Sequence, residues 1–214
     1  MVRPDPAACA ALLAFGTATI HEAQGLRGAV HGALKPIDPA MRVAGPAFTV
    51  QAKPGDNLVL HYALTKIAAG QVLVVDAEGF TEAGPWGDIM SGAAMLRGVA
   101  GLVIDGSVRD SQAIVDMGFP VFSRGLSIKG TLKHQPGRVN VPIVLGGVTV
   151  RPDDIVVGDR DGLVVVRAEE VAEVMQACRV REDKEAQTRQ KLREGATTVD
   201  LIGLGPLLAQ YGMT

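Results

Sequence analysis

Two acidic positions at loop-to-helix junctions carry the strongest chemical signal. Asp88 stands in Gly87-Asp88-Ile89-Met90-Ser91-Gly92, and Asp110 closes Asp105-Gly106-Ser107-Val108-Arg109-Asp110. One helix and one strand separate them, so both can face a crevice outside the carboxyl ends of parallel strands, where α/β sheets bind ligands. Two carboxylates in one crevice repel each other unless a cation lies between them, and oxygen-only ligands point to Mg2+ or Mn2+ rather than zinc. Arg109 adds a planar fork suited to a carboxylate beside the metal, and free N–H groups at a helix start favour an anion. The combination suits a small 2-oxo acid. Plainer explanations exist for the same residues: both acids could cap helices, and Arg109 could pair with Asp105 or Asp110.

The elements that position these residues read as an α/β alternation. Ala-rich 5–15 and the shorter 19–24, which stops at Gly25, read as helices. Residues 45–52 predict a strand, 57–69 a helix, and 71–76 a buried strand ending in Asp76. A loop over 79–87 leads to a helix over 88–97 and an apolar run over 99–104. Asp105-Gly106-Ser107 reads as a polar turn opening a helix over 110–117, and Pro120-Val121-Phe122 returns as a strand.

From Val139 the texture changes. Val-rich pieces (141–145, 148–150, 155–157, 163–166) alternate with turns, including Asp159-Arg160-Asp161-Gly162, which predicts an antiparallel β layer. The Asp159 turn opens like a calcium loop but lacks the later ligands, and reads as a hairpin. A helix over about 168–194 follows, then a short apolar tail at 201–208. The later half of that helix has little to bury in its own chain. It is either a solvated helix laced by pairs such as Arg181/Glu185 and Glu185/Arg189, or a helix that lies across a neighbouring subunit.

Composition excludes several classes. The 214 residues, 47% of them hydrophobic, suit one domain or a tightly joined pair with a sizeable core. With 21 basic against 23 acidic residues and no basic stripe, nucleic acid is not an expected partner. No run reaches the roughly 20 apolar residues of a membrane span, and 7–15 does not read as a signal peptide. Cys9 and Cys178 are far apart and suggest neither a disulfide framework nor a zinc site, which fits a cytoplasmic location.

Trp86-Gly87-Asp88, the stretch from Arg97 through Gly101-Leu102-Val103-Ile104-Asp105-Gly106-Ser107-Val108-Arg109-Asp110, and Phe119-Pro120-Val121-Phe122 resemble the RraA-like family. Phe122-Ser123-Arg124-Gly125-Leu126-Ser127-Ile128-Lys129-Gly130-Thr131 looks most like its aldolase branch, the 4-hydroxy-4-methyl-2-oxoglutarate and 4-carboxy-4-hydroxy-2-oxoadipate aldolases. The match runs from about Gly16 to Gly195.

The resemblance implies one domain over 1–214 with a layered α/β/β/α sandwich, similar to the swivelling phosphohistidine-domain architecture. It implies a homotrimer or homohexamer with a shared active site. The implied activity is a class II retro-aldol cleavage releasing pyruvate, dependent on Mg2+ or Mn2+, in breakdown of protocatechuate- or gallate-type acids. Asp110 would ligate the metal, Arg109 would hold the pyruvyl end, and Asp88 would orient metal-bound waters. Backbone N–H groups at Met90, Ser91 and Gly92 would receive the carboxylate. A further Glu from a neighbouring subunit's C-terminal helix would be Glu185, with Glu182 as the alternative.

The metal would stabilise the enolate as it develops, and a water held by Asp88 and Glu185 would remove the C4 hydroxyl proton. Arg124, Lys129, Lys133 and His134 form a basic neighbourhood that is either solvated surface or, at Arg124 and Lys129, a subsite for a second substrate carboxylate. His21-Glu22 also matches that branch's early helix, though such a pair is usually structural. Oxaloacetate decarboxylation uses the same enolate stabilisation, and the same fold hosts non-catalytic regulators that bind ribonuclease E, so both stay as alternatives.

Overall fold

The computed structural model describes residues 6–213. The chain starts with helices α1 (Pro6–Phe15) and α2 (Thr17–Ala23), then strands β1 (Lys35–Pro36) and β2 (Val43–Gln51). The alternating part follows: α3 (Leu58–Leu64), β3 (Val72–Phe80), α4 (Asp88–Leu96), β4 (Gly101–Val108), α5 (Ser111–Met117) and β5 (Val121–Leu126). Short strands β6 (Arg138–Val139), β7 (Ile143–Leu145) and β8 (Val148–Val150) precede the hairpin of β9 (Ile155–Asp159) and β10 (Gly162–Val166). A 3-10 turn at Ala168–Glu170 leads into the long helix α6 (Val171–Arg193), and α7 (Thr198–Ile202) and α8 (Gly205–Gln210) finish the chain.

Strands β2, β3, β4 and β5 are parallel neighbours, as the strand-helix-strand alternation requires. The full order is β1-β5-β4-β3-β2-β9-β10, with β6 paired to β2. The expected antiparallel layer is therefore joined to the parallel one, because β9 pairs antiparallel with the first half of β2. At the other end, Val30 N donates to the Leu163 carbonyl (3.0 Å) and Val165 N to Gly28 (2.9 Å), just before β1 pairs with β5. The sheet is nearly closed on itself.

Burial follows side-chain alternation. On β9 and β10, Val156, Leu163 and Val165 join the interior cluster with Val43 and Phe122. Ile155, Val157, Val164 and Val166 face outward under Cys9, Leu12 and Ile20 of the first two helices and Val171, Val174 and Cys178 of α6. Helices α3, α4 and α5 bury Leu60, Ala94 and Ile114 on the side of β2 to β5. The layers run helix, sheet, sheet, helix, as the resemblance implied.

Several boundaries differ from the sequence reading. The first helix was expected from Asp5, which lies outside the described residues. Helix α3 stops at Leu64 rather than 69, as the chain turns through Gly70 at φ 79°. Asp76 does not end β3, which continues through a bulge to Phe80. Asp105-Gly106-Ser107 is not a turn but the buried interior of β4, all eight residues of which are buried. The polar string survives there because Asp105 Oδ1 accepts from Arg124 Nε (2.5 Å) and Oδ2 from Gly146 N (3.1 Å). The Asp159 hairpin is as expected, and its carboxylate also accepts from Thr17 N and Oγ1, both at 2.8 Å, at the start of α2.

The long C-terminal helix forms with both expected ion pairs: Glu185 lies 3.0 Å from Arg181 Nε and 3.2 Å from Arg189 Nη1. Arg181 also pairs with Glu22 of α2. Beyond Cys178 no described residue is buried, and the apolar tail forms α7, closed by a Thr197/Asp200 capping box, and α8. No described helix is long and apolar enough to cross a membrane.

Candidate active site

Three loops meet at the carboxyl ends of β3, β4 and β5, laced by backbone hydrogen bonds. Arg109 N donates to the Trp86 carbonyl (2.9 Å), Ser127 N to Val108 (2.9 Å) and Gly84 N to Lys129 (2.9 Å). Trp86 anchors the first loop. Its indole is fully buried, stacks on Phe119 with centroids 6.3 Å apart, and donates Nε1–H to Ser91 Oγ at 2.8 Å. Ser91 Oγ in turn donates to the Gly87 carbonyl (3.0 Å), so α4 starts at a fixed point with Asp88 as its first residue.

Asp110 sits at the N-cap of α5 but does not cap it. Its backbone is left-handed (φ 54°, ψ 34°) and its side chain makes no capping bond. A non-glycine residue in that region stores strain that persists only where the surroundings over-determine it. The carboxylate lies instead against Gly87, where a Cβ would come within 2.3 Å of Oδ2, and 3.3 Å from Arg109 Nε. Gly84 gives Arg109 similar room, a Cβ there lying 2.9 Å from Arg109 Cβ. The structure thus brings Arg109 and Asp110 against Gly87, the residue that precedes Asp88, with Arg109 and Asp110 both exposed to solvent.

The donors at the start of α4 are narrower than the sequence reading held. Ser91 N–H is spent on the Gly87 carbonyl (3.0 Å) and Gly92 lies inside the helix, so neither offers a free N–H. Ile89 N–H donates to Asp88 Oδ1 (2.7 Å). Met90, third in the helix, is the one of the three expected residues that falls among the first-turn donors.

The basic neighbourhood divides. Arg124 is tied to the buried Asp105 and cannot act as a freely moving cation. Lys129 pairs with Glu82 at the exposed edge of the loops. His134 is held through its backbone N–H by Asp56 (2.7 Å), and Lys133 lies beside it, exposed. Glu185 is not brought to this cluster within one chain, because α6 packs on α1 and α2 of the opposite layer. Glu182 lies on the same helix.

Sequence reading missed Asn57. It is buried, its Nδ2 donates to the Pro85 carbonyl (3.0 Å) beneath the Trp86 loop, and its Oδ1 is buried with no hydrogen-bond partner in the described chain. Nothing local distinguishes it from an ordinary helix cap, since its partner is 28 positions away. Among the described residues no group of three or more His, Cys, Asp or Glu is arranged to hold a metal. What the chain supplies is two carboxylates, a guanidinium and a helix start on adjoining loops, a set suited to a carboxylate-bearing anion and to a cation that retains most of its waters.

Residues 17–165 match the family described as RraA-like, aldolase/RraA. The chain belongs to the RraA-like family. The matched segment contains every element of the three-loop cluster and ends before α6, short of the Gly195 expected from the motifs. Among RraA-like relatives, a Halalkalibacterium halodurans protein named for 4-hydroxy-4-methyl-2-oxoglutarate aldolase is 40% identical over 73% of this chain and 75% of its own. An uncharacterized Pseudomonas syringae protein superimposes with a TM-score of 0.80 at 29% identity, covering 92% of this chain and 97% of that one. Streptomyces coelicolor RraAS2, described as an unusual member of the RNase ES inhibitor RraA family, gives 0.76 at 30% identity over 88% and 98%.

Proposed function

We propose that the protein is a divalent-metal-dependent pyruvate-type aldolase, cleaving 4-carboxy-4-hydroxy-2-oxoadipate or 4-hydroxy-4-methyl-2-oxoglutarate. The observation that carries this is the Asp110 carboxylate, turned from its helix into the space that Gly87 leaves beside Arg109. Membership of the RraA-like family and the aldolase-named relative support the same reaction class.

The residues fit Mg2+ or Mn2+, because a hard cation that keeps several waters needs few protein carboxylates. Asp110 would hold it directly and Asp88 through water. Bound there, it would supply Lewis-acid stabilisation of the enolate charge left by carbon–carbon cleavage. The rest falls to the chain. Arg109 holds the pyruvyl carboxylate in a planar fork, and the first-turn N–H of Met90 adds a donor on the same side. Asp88, with Glu185 from a second copy in a trimer or hexamer, holds the water that takes the C4 hydroxyl proton. Oxaloacetate decarboxylation would draw on the same site.

The test is pyruvate release from both substrates, with EDTA and with added Mg2+. Release should need the metal and should be lost in Asp110→Asn, chosen because Asn tolerates the left-handed backbone. Metal-independent turnover, or normal activity in that variant, would sink the assignment.

A second reading rests on the likeness to the RNase ES inhibitor family: a non-catalytic ribonuclease-binding regulator. Capture of a ribonuclease E-type enzyme, with no pyruvate from either substrate, would favour it.

A further inference from the structure

The pair formed by Lys129 and Glu82 has no structural task that the fold requires. Both side chains are about two-thirds exposed (62% and 66%), and they join two loops already fastened by Gly84 N to the Lys129 carbonyl. Exposed pairs of this kind contribute little to stability. Their position is nevertheless fixed relative to Arg109. The Ser127 carbonyl and Arg109 Cβ both close on the space a Cβ of Gly84 would take, at 2.4 and 2.9 Å, so residues 82–84, 127–129 and Arg109 lie together on one rung.

With its pyruvyl carboxylate on Arg109, a 4-hydroxy-2-oxo acid would have its C4 substituents within reach of Glu82 and Lys129 if it extends along that rung. The two substrates differ at C4: one carries a methyl group, the other a carboxymethyl arm with a further negative charge. Resting on the aldolase reading above, we propose that Lys129 is the specificity-determining residue that takes the carboxymethyl arm, with Glu82 as the resident counter-ion the arm displaces.

The chemistry suits such an exchange. A Lys ammonium is a hydrated point charge on a flexible stem, able to follow an arm that arrives at the mouth. The hydrogen bond from Lys129, with its charge, holds the Glu82 carboxyl below its ordinary range. One carboxylate therefore replaces another without a proton changing hands. Arg124 cannot perform this role, because its guanidinium is committed to the buried Asp105.

The experiment compares kcat/KM for the two substrates in wild type, Lys129→Gln, Lys129→Arg and Glu82→Gln. Losing a charge-assisted contact predicts that Lys129→Gln lowers the value for 4-carboxy-4-hydroxy-2-oxoadipate about tenfold and that for the methyl substrate less than about twofold. Lys129→Arg should keep the preference, and Glu82→Gln should shift the ratio further toward the carboxymethyl substrate. Equal effects of Lys129→Gln on both substrates, or none, overturn the proposal. A separate measurement tests the reading beneath it: wild type with Mg2+ should exchange the methyl hydrogens of pyruvate in D2O, since cleavage run backwards forms the same enolate. If that exchange is absent, the aldolase reading fails and this inference fails with it.

Discussion

The α-carbon of Gly87 and the carboxylate of Asp110 are in direct apposition: a Cβ on residue 87 would lie 2.3 Å from Asp110 Oδ2. The glycine is needed for space and not for conformation, because its own backbone is extended (φ −145°, ψ −166°) and open to any residue. Gly87→Ala should therefore fold with an unchanged circular dichroism spectrum while displacing the carboxylate. A displacement near 1 Å at a reacting centre costs on the order of 100-fold in rate. Pyruvate release and Mg2+ titration of the folded variant check this, and wild-type rates would show that Asp110 has no fixed role.

Ser91 is expected to matter for stability more than for chemistry. Its hydroxyl receives the buried Trp86 indole N–H and donates to the Gly87 carbonyl. Ser91→Ala leaves the indole donor unsatisfied, which costs about 1–3 kcal/mol. Denaturant unfolding should show that loss, with the residual activity of the folded fraction close to wild type.

Asp76 gives a pH dependence. Burial, then the nearby charges of Asp105 and Glu78, raise its pKa above 3.8 against the opposing pull of the Glu78 N–H and Lys53. The folded state thus keeps this proton to higher pH than the unfolded chain. The stabilisation is fully present below 3.8 and is lost as pH rises through the folded value, leaving an ionised, partly buried acid at neutrality. Asp76→Asn keeps an acceptor for Glu78 N–H and removes that charge. Its melting temperature should exceed wild type at pH 7, with the gap closing below about pH 4. A gap independent of pH would refute the electrostatic cause.

Subunit mixing tests the role given to Glu185. Arg109→Ala and Glu185→Ala, each inactive alone, should regain part of their activity when mixed and reassembled, because some interfaces then hold an intact Arg109 and an intact Glu185. Verified mixed oligomers without recovery would remove Glu185 from the site.

How far the sequence could be read depends on how local each cause is. Asp88, Arg109 and Asp110 stand at element ends, where periodicity changes and glycines punctuate, so the meeting of the loop before Asp88 with Arg109 and Asp110 was legible. The α/β alternation was legible for the same reason. Asp105-Gly106-Ser107 misled because three turn-forming residues in a row look like a turn, and their burial depends on Arg124 and Gly146, 19 and 41 positions away. The merger of the antiparallel strands with the parallel sheet rests on β9 meeting β2 more than a hundred residues earlier in the chain. Helix α4 showed its start, but which N–H groups stay free there follows only from where its first turn closes.

Helix α6 carries one more implication. From residue 179 onward it has no buried side chain, and pairs such as those of Arg181, Glu185 and Arg189 add only about 0.3–0.5 kcal/mol each. A stretch of that length is marginal in water without packing. In the shared-site arrangement its ordering and the delivery of Glu185 depend on encounter with another copy, so specific activity should fall on dilution, and catalytic competence becomes a property of the population of chains instead of the single molecule.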